Sequence, residues 1–286
     1  MIITKIQGGI GNQLFQYAAG KQLAISNNTE LHLDTSWYDS IDPKYRKFEL
    51  EKFNISAKIA SKNESSKFKY SFLNRWKMII QGKHRWEEKH FHFDSKRQRA
   101  KNNTYLSGYW QSEKYFARIT DILKKEFTLK KPLPKELDSL LVSIRTSNSV
   151  SVHIRRGDYL SPQFHGIYTS CDSEYYKSAL SFIKTSVDSP RFFIFSDDIM
   201  WAKTLYFPEN TTFITSDFGL QNYEELVIMS ECKHNITANS TFSWWGAWLN
   251  KNPQKIVITP EKWFLDKNKD EADLIPPTWK KLPVKI

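Results

Sequence analysis

Residues 150–160 read V-S-V-H-I-R-R-G-D-Y-L. A β-branched, apolar run climbs into two arginines, a glycine, an aspartate and a tyrosine. The first half has the composition of a buried strand, and Gly157 and Asp158 mark its exit turn. Side chains alternate along a strand, so His153 and Arg155 share one face while Ile154 and Arg156 take the other. An imidazole and a guanidinium at the carboxyl end of a strand stand where open α/β sheets bind ligands. Arginine at that place suits a phosphate, because its planar fork matches phosphate oxygens in pairs. The same residues also suit a buried Arg–Asp pair that holds a turn, and the stretch alone leaves both readings open.

Working outward toward the C-terminus, the chain alternates. A strand at 150–155 precedes a helix at 173–187, and F-F-I-F-S-D-D at 192–198 is the next strand. A short helix, a strand at 212–216, a helix over Asn222–Glu231 and a strand at 235–239 follow. The helix F-S-W-W-G-A-W-L and the strand K-I-V-I-T-P at 255–260 close the series. Strict alternation predicts a parallel sheet covered on both faces, hence an α/β fold.

Toward the N-terminus the reading is less regular. Residues 2–6 form a short strand, and G-G-I-G-N-Q-L-F-Q-Y-A-A-G-K-Q-L-A follows. Gly8, Gly9 and Gly11 make a tight turn before a helix that starts near Asn12. A strand, a glycine turn and a helix N-terminus together make an anion or ligand site. A closely packed strand–helix corner explains the glycines equally well, and the spacing matches neither standard phosphate-loop pattern. E-L-H-L-D at 30–34 is a strand, and residues 35–103 are irregular, basic and aromatic. H-F-H at 90–92 sets two histidines on one strand face without a third ligand, so no metal is expected there. A strand and turn at 104–112, a helix from Glu113 to Phe127 and a helix from Lys135 to Thr146 complete this half. K-K-P-L-P at 130–134 is a breaker and a plausible hinge. The expected domains are 1–148 and 149–286, with the proline-rich tail 276–284 wrapping back over the first.

Hydrophobic residues make up 40% of the 286 and charged residues 26%, a globular composition. Two cysteines, Cys171 and Cys232, are too few for a disulfide framework and suit a reducing compartment. No apolar run approaches the ~18 residues of a membrane span, and none reads as a signal peptide. A cytoplasmic protein is therefore expected. Net charge is +11, and between Lys62 and Lys101 twelve Lys/Arg stand against four Asp/Glu. Aromatic residues are interleaved there, from Phe68 and Trp76 to Phe91 and Phe93. This mixture suits an anionic surface, including a phospholipid one, or else a solvated basic face around a small aromatic core.

Two further places carry chemistry. Ser196-Asp197-Asp198 ends a strand, where a carboxylate can accept the paired N–H groups of a guanine edge. It can equally cap the following helix. The chain contains no D-x-D, the usual carboxylate pair for a metal on a nucleotide sugar, so arginine and helix N-termini would neutralise any phosphate. Asn239-Ser240-Thr241 precedes a helix, as a phosphate cradle or as an ordinary N-cap. Trp244, Trp245 and Trp248 at helical spacing suit core packing better than a sugar platform. Asp158 offers a carboxylate for proton abstraction, or else steadies Arg155 or Arg156.

Three strings are specific together: G-G-I-G-N-Q-L-F-Q-Y at 8–17, H-I-R-R-G-D-Y at 153–159 and N-S-T-F-S-W-W-G-A-W-L at 239–249. With them the chain resembles the bacterial α-1,2-fucosyltransferases of glycosyltransferase family 11. Y-L-S-G-Y-W-Q-S-E-K-Y-F at 105–116 also looks like that family. The resemblance runs from the N-terminus to about Leu249, and the basic region carries little of it. It implies a GT-B-like fold, two Rossmann-type domains with parallel sheets facing a cleft. The domain 1–148 would lie on the acceptor side, and 149–286 would bind GDP-fucose. It implies inverting, metal-independent transfer of L-fucose from GDP-β-L-fucose to the 2-hydroxyl of a galactose in a surface glycan such as an O-antigen, with no cofactor. By the same resemblance His153 and Asp197 match guanine contacts, Arg155 the β-phosphate ligand, and Ser240 and Thr241 phosphate-binding hydroxyls. Phe242 and Gly11 fall with the donor site, and Asn12 faces the fucose and acceptor. Arg155, Asp158 and Asn12 are then the catalytic candidates. The expected partners are GDP-fucose, a galactose-ended, lipid-linked glycan and an anionic membrane surface, but no nucleic acid. The competing classes are a non-enzymatic binder of polyanions or phospholipid, and another GDP-sugar transferase on the same fold.

Overall fold

The computed structural model describes residues 1–68, 80–157, 171–266 and 269–284. The chain divides into two compact units, Met1–Lys130 with Ala272–Leu274, and Lys131–Glu271 with Ile275–Ile286. The division falls at K-K-P-L-P, where prolines interrupt regular structure, and not at 148. The helix Asp138–Thr146 therefore belongs to the second unit, where Leu140, Leu141 and Ile144 pack with Phe193, Phe195 and Ile228.

Unit 1 is a parallel five-stranded sheet of β1 (Ile2–Lys5), β2 (Leu31–Asp34), β3 (Lys58–Ile59), β4 (His84–Glu87) and β5 (Thr104–Ser107), in the order β3-β2-β1-β5-β4. β1 lies between β2 and β5, and its apolar residues Ile2 and Ile3 are fully buried. Helix α1 (Ile10–Ser26) follows at once. It buries polar residues as well as apolar ones, because Gln13 and Gln16 find backbone partners. Gln13 Nε2 donates to Gly8 O (3.1 Å) and Lys47 O (2.8 Å), and Glu49 N donates to Gln13 Oε1 at 2.9 Å. Gln7 N donates to Gln16 Oε1 at 2.9 Å. Gln13, matched at both ends of its amide, costs little to bury, whereas Gln16 Nε2 has no partner among the described residues. Gly20 lets α1 lie on the sheet, since a Cβ there would stand 2.1 Å from Thr4 Oγ1 and 2.9 Å from Leu31 Cδ1.

Unit 2 is a parallel six-stranded sheet of β6 (Asn148–Ile154), β7 (Pro190–Ser196), β8 (Thr212–Ile214), β9 (His234–Ile236), β10 (Val257–Pro260) and β11 (Lys280–Leu282). Its order is β11-β10-β9-β6-β7-β8. Numbered from β6, this is the 3-2-1-4-5-6 order of dinucleotide-binding folds, whose ligand crevice opens where the order reverses. The reversal lies beside β6, between β7 on one side and β9 on the other. The apolar run of 150–154 is thus central, with Val150, Val152 and Ile154 at 0% exposure. Trp244, Trp245 and Trp248 are core: Trp244 stacks on Trp248, Trp245 meets both edge-on, and Trp279 lies tilted against Trp244.

Several expectations need correction. In the tail, Lys280–Leu282 extends the second sheet by pairing with β10, while Ala272–Leu274 groups with unit 1. The expected helix over Glu113–Phe127 is two short 3-10 turns and a seven-residue α-helix, Thr120–Glu126. His90 and His92 lie outside any strand and stack ring on ring, 3.4 Å between centroids. The strand β4 was not read from the sequence. The basic segment is partly internal. Arg97 is buried, paired with Asp94 (2.8 Å) and set against Trp86 and Trp110. Arg85 lies over Tyr105 and pairs with Glu87 at 3.0 Å. Lys62, Lys67, Lys89, Lys96, Arg99 and Lys101 remain exposed, and residues 69–79 lie outside the described residues. No helix among the described residues is long and apolar enough to cross a membrane.

Gly20→Ala is expected to lower the stability of unit 1 by about 1–3 kcal/mol, the usual cost of overpacking a tight core contact. A urea titration followed by circular dichroism, with wild type alongside, measures it.

Candidate active site

The carboxyl ends of β6, β7 and β9 gather most of the candidate residues of unit 2. Asp197, the first residue after β7, is the hub. Its Oδ1 accepts from Arg156 N at 2.9 Å, and its Oδ2 from Gly157 N at 3.1 Å. Arg155 Nη1 stands 2.9 Å from Oδ2, with both side chains about a quarter exposed. Gly157 permits this grip, because a Cβ there would fall 3.0 Å from Asp197 Oδ2. The arginine–aspartate pair holding a turn is therefore present, and the aspartate is Asp197. Asp158 lies outside the described residues.

The two arginines part as strand alternation predicts. Arg155 takes Asp197, whereas Arg156 lies over the Trp201 ring (4.0 Å to its centroid) with Nε 3.4 Å from Asp198 Oδ2. Asp198 also caps the turn Ile199–Ala202 by accepting from Trp201 N at 2.9 Å. The capping alternative for the S-D-D sequence is thus realised by its second aspartate, while the first ties β7 to β6.

His153 is 5% exposed, and its ring lies 5.4 Å from that of Phe242. Its Nδ1 has no hydrogen-bond partner among the described residues. Burial, and then the charge of Arg155, push its pKa down to about 3. The imidazole is neutral at pH 7, with one ring nitrogen a donor and the other an acceptor. A buried polar atom without a partner costs about 1–3 kcal/mol, and such atoms in native structures point to a ligand contact or another functional demand. The strand end is braced from behind: Tyr176 Oη donates to His153 O at 3.0 Å and Tyr175 Oη to Thr237 O at 2.6 Å.

Past β9 the chain reaches Asn239, Ser240 and Thr241. Ser240 is the N-cap of the helix Thr241–Leu249 and accepts from Phe242 N at 3.3 Å. Asn239 is 1% exposed and donates to Trp263 O at 3.1 Å, so it fastens the loop. Thr241 and Phe242 are half-buried in the first helical turn. That turn contains backbone N–H groups without intrahelical acceptors and the positive end of the helix dipole.

Sequence reasoning missed Glu225, in the first turn of the helix Asn222–Glu231. Burial first and then the charge of Asp197 push its pKa up to about 7. Neighbouring Glu224 is used in the capping box with Gln221. Y-E-E before an apolar helix reads as an ordinary acidic first turn. Only the fold brings one of its carboxyls near Asp197.

In unit 1 the equivalent place is the end of β1. Gly8 adopts φ +80°, open to glycine at little cost, and its carbonyl accepts from Tyr38 Oη at 2.8 Å. Gly9 is the N-cap of α1 and provides no side-chain cap. Gly11 is not in the turn but in the first helical turn, and is buried. Asn12 is half-buried, and its Oδ1 accepts from Gln111 Nε2 at 2.9 Å. No group of three or more His, Cys, Asp or Glu side chains suited to a metal occurs among the described residues.

These features have counterparts in known proteins. The model of glycosyl transferase family 11 matches residues 1–282. An α-1,2-colitosyltransferase of Escherichia coli is 35% identical over 98% of this chain and 98% of its own length. The E. coli O-antigen biosynthesis glycosyltransferase WbnK is 30% identical over 94% of this chain and 97% of its own. The mouse galactoside 2-α-L-fucosyltransferase Sec1 is 24% identical, over 87% of this chain and 64% of that protein. Among solved structures, NodZ α-1,6-fucosyltransferase soaked with GDP-fucose superposes with TM-score 0.51 at 14% identity, over 90% of this chain and 94% of that one. A mutant of Arabidopsis thaliana FUT1 in complex with GDP gives 0.53 at 11%, over 91% and 70%. These likenesses show a GT-B-like α/β fold. With the family model spanning nearly the whole chain and full-length relatives at 30–35% identity, the protein is a glycosyltransferase and belongs to glycosyl transferase family 11.

Proposed function

We propose that the protein transfers L-fucose from GDP-β-L-fucose to the 2-hydroxyl of a galactose in a glycan, with inversion and without a metal. The observation that carries the reading is the cluster of His153, Arg155, Asp197, Ser240 and Thr241 at the crevice of a 3-2-1-4-5-6 sheet. Solved neighbours bearing GDP-fucose and GDP, and the galactoside fucosyltransferases among the relatives, support it.

Breaking the sugar–phosphate bond builds negative charge on the leaving diphosphate. Arg155 and the helix start at Thr241 neutralise that charge, with the Ser240 and Thr241 hydroxyls beside it. The guanidinium is aimed before substrate arrives, because Asp197 holds it and the two following amides at once. Asp197 is so engaged that the guanine edge falls to Glu225, whose carboxylate would accept the N1 and N2 protons, with neutral His153 beside the base. Phe242 lines the same donor pocket. Asn12 and the first turn of α1, with Gly11, meet the fucose and acceptor. Asp158 is assigned to taking the acceptor proton.

A colitosyl donor is the second reading, favoured by the 35% identical colitosyltransferase. The acceptor we assign to a galactose-ended, lipid-linked glycan of the O-antigen kind, in keeping with the name of WbnK. The exposed cations of 62–101 would hold a cytoplasmic enzyme at an anionic membrane. Sedimentation with anionic vesicles at low salt should carry the protein down. Protein left in the supernatant with anionic and neutral vesicles alike counts against membrane contact.

GDP at about 100 times its Kd should raise the unfolding midpoint by on the order of 5–10 °C at moderate salt, while ADP and UDP leave it unchanged. Equal shifts with all three would favour a general polyanion binder. Arg155→Ala should lower turnover about 10²-fold or more. Near-normal transfer by the folded variant removes Arg155 from the reaction. The ionised form of Glu225 is the one that accepts guanine protons, and its pKa of about 7 makes GDP affinity fall with acidity. Calorimetry should give about tenfold weaker binding at pH 6 than at pH 8. The Glu225→Gln protein should bind weakly with a flatter profile, whereas an unchanged profile would exclude Glu225 from the base contact.

A further inference from the structure

The segment 105–112, Y-L-S-G-Y-W-Q-S, is gripped by one carboxyl group that no motif announces. Glu88 follows β4, and its own N–H donates to Ser107 O at 2.8 Å. Its side chain turns into unit 1, where Oε2 accepts from Tyr109 N at 2.6 Å and Oε1 from Trp110 N at 2.9 Å. Gly108 makes the room, since a Cβ there would fall 2.4 Å from Glu88 Cβ. Held by both amides, the chain puts Trp110 at φ +56°, a conformation a bulky residue adopts only when its surroundings impose it. The Trp110 ring is buried, edge-on to Tyr115 at 5.5 Å and 5.6 Å from the Arg97 guanidinium. The next residue, Gln111, is 7% exposed and donates to Asn12 Oδ1 at 2.9 Å. Gly8 leaves room for the Asn12 amide on its other side, since a Cβ there would stand 2.8 Å from Nδ2.

We propose that Glu88 is a positioning residue for glycosyl transfer, acting through the Gly108–Gln111 turn to hold the Asn12 amide with its NH2 group as a donor to substrate. This rests on the reading that Asn12 meets the fucose and acceptor. Gln111 takes the amide oxygen, so the orientation of Asn12 is set by the turn and the turn is set by Glu88. A carboxylate suits this task better than an amide, because both of its oxygens accept. Burial pushes the Glu88 pKa above the usual carboxylate range, against the two backbone amides and Arg97, which lower it. Arg97, Tyr109 and Tyr115 are the charged and titratable groups around it. Protonation in acid turns one oxygen from acceptor to donor and loosens the turn.

The test uses Glu88→Gln, Gln111→Leu and Asn12→Ala in the full chain, assayed for transfer from GDP-fucose to a β-galactoside across pH 5–8. Glu88→Gln should lower kcat and kcat/KM together by about 10- to 100-fold, as expected for a misplaced group, with GDP affinity unchanged. At saturating GDP-fucose its kcat should lose the fall in acid that protonation of Glu88 causes in the wild type, whereas the acid weakening of GDP binding through Glu225 should persist. Gln111→Leu leaves the carboxylate clamp intact and should show the same loss, so the inference stays testable if Glu88→Gln does not fold. The Gln111→Leu/Asn12→Ala double variant should be no worse than either single one. Wild-type turnover by both Glu88→Gln and Gln111→Leu, beside an impaired Asn12→Ala, overturns the role of Glu88 alone. Wild-type turnover by Asn12→Ala overturns the role of Asn12 and this inference with it.

Discussion

The carboxylate of Asp197 is the interaction on which the rim of unit 2 depends. It accepts the amides of Arg156 and Gly157 and pairs with Arg155, so one side chain joins the ends of two adjacent strands. Charge-assisted bonds of this kind are about twice as strong as neutral ones, and here three share one group. The geometry needs glycine at 157 and a parallel register that sets Ile154 beside Ser196. In the proposed transfer, an arginine aimed before substrate arrives need not be reorganised during reaction, which is the basis of electrostatic stabilisation.

Both units solve one problem in the same way. A parallel sheet buries its middle strand, so polar chemistry is confined to the carboxyl rim, where turns and helix starts meet water. In unit 2 the rim carries Arg155, Asp197 and Ser240. In unit 1 it carries Gly8, Gly9 and Asn12, stabilised from beneath by the buried glutamines Gln13 and Gln16. Each rim is steadied by groups outside its motif: Tyr175 and Tyr176 behind β6 and β9, and Glu88 behind the turn that reaches Asn12.

Much of unit 2 was legible in the sequence because its period is regular. The alternation at 150–156 separated Arg155 from Arg156, and the structure gives them different aspartates. Residues that act through tertiary contact were not legible. Glu225 reads as a first-turn glutamate until the fold puts it near Asp197, and Glu88 sits in an irregular basic stretch with no pattern of its own. The strand in the tail was not legible for a similar reason: P-P-T-W-K-K-L hides a three-residue strand, Lys280–Leu282, too short to show a period. The basic segment suited an anionic surface or a solvated face around a small aromatic core, and Arg85 and Arg97 are packed on aromatic rings; charge counting has no means of telling a stacked guanidinium from a solvated one.

The central claim is the transfer itself, and the linkage of the product tests it most directly. The purified protein is incubated with GDP-β-L-fucose and a terminal β-galactoside, and the product is examined by nuclear magnetic resonance. The account predicts an α-linked fucose on the galactose 2-hydroxyl. A product linked at another hydroxyl, or no fucose transfer alongside efficient transfer from another GDP-sugar, would contradict it.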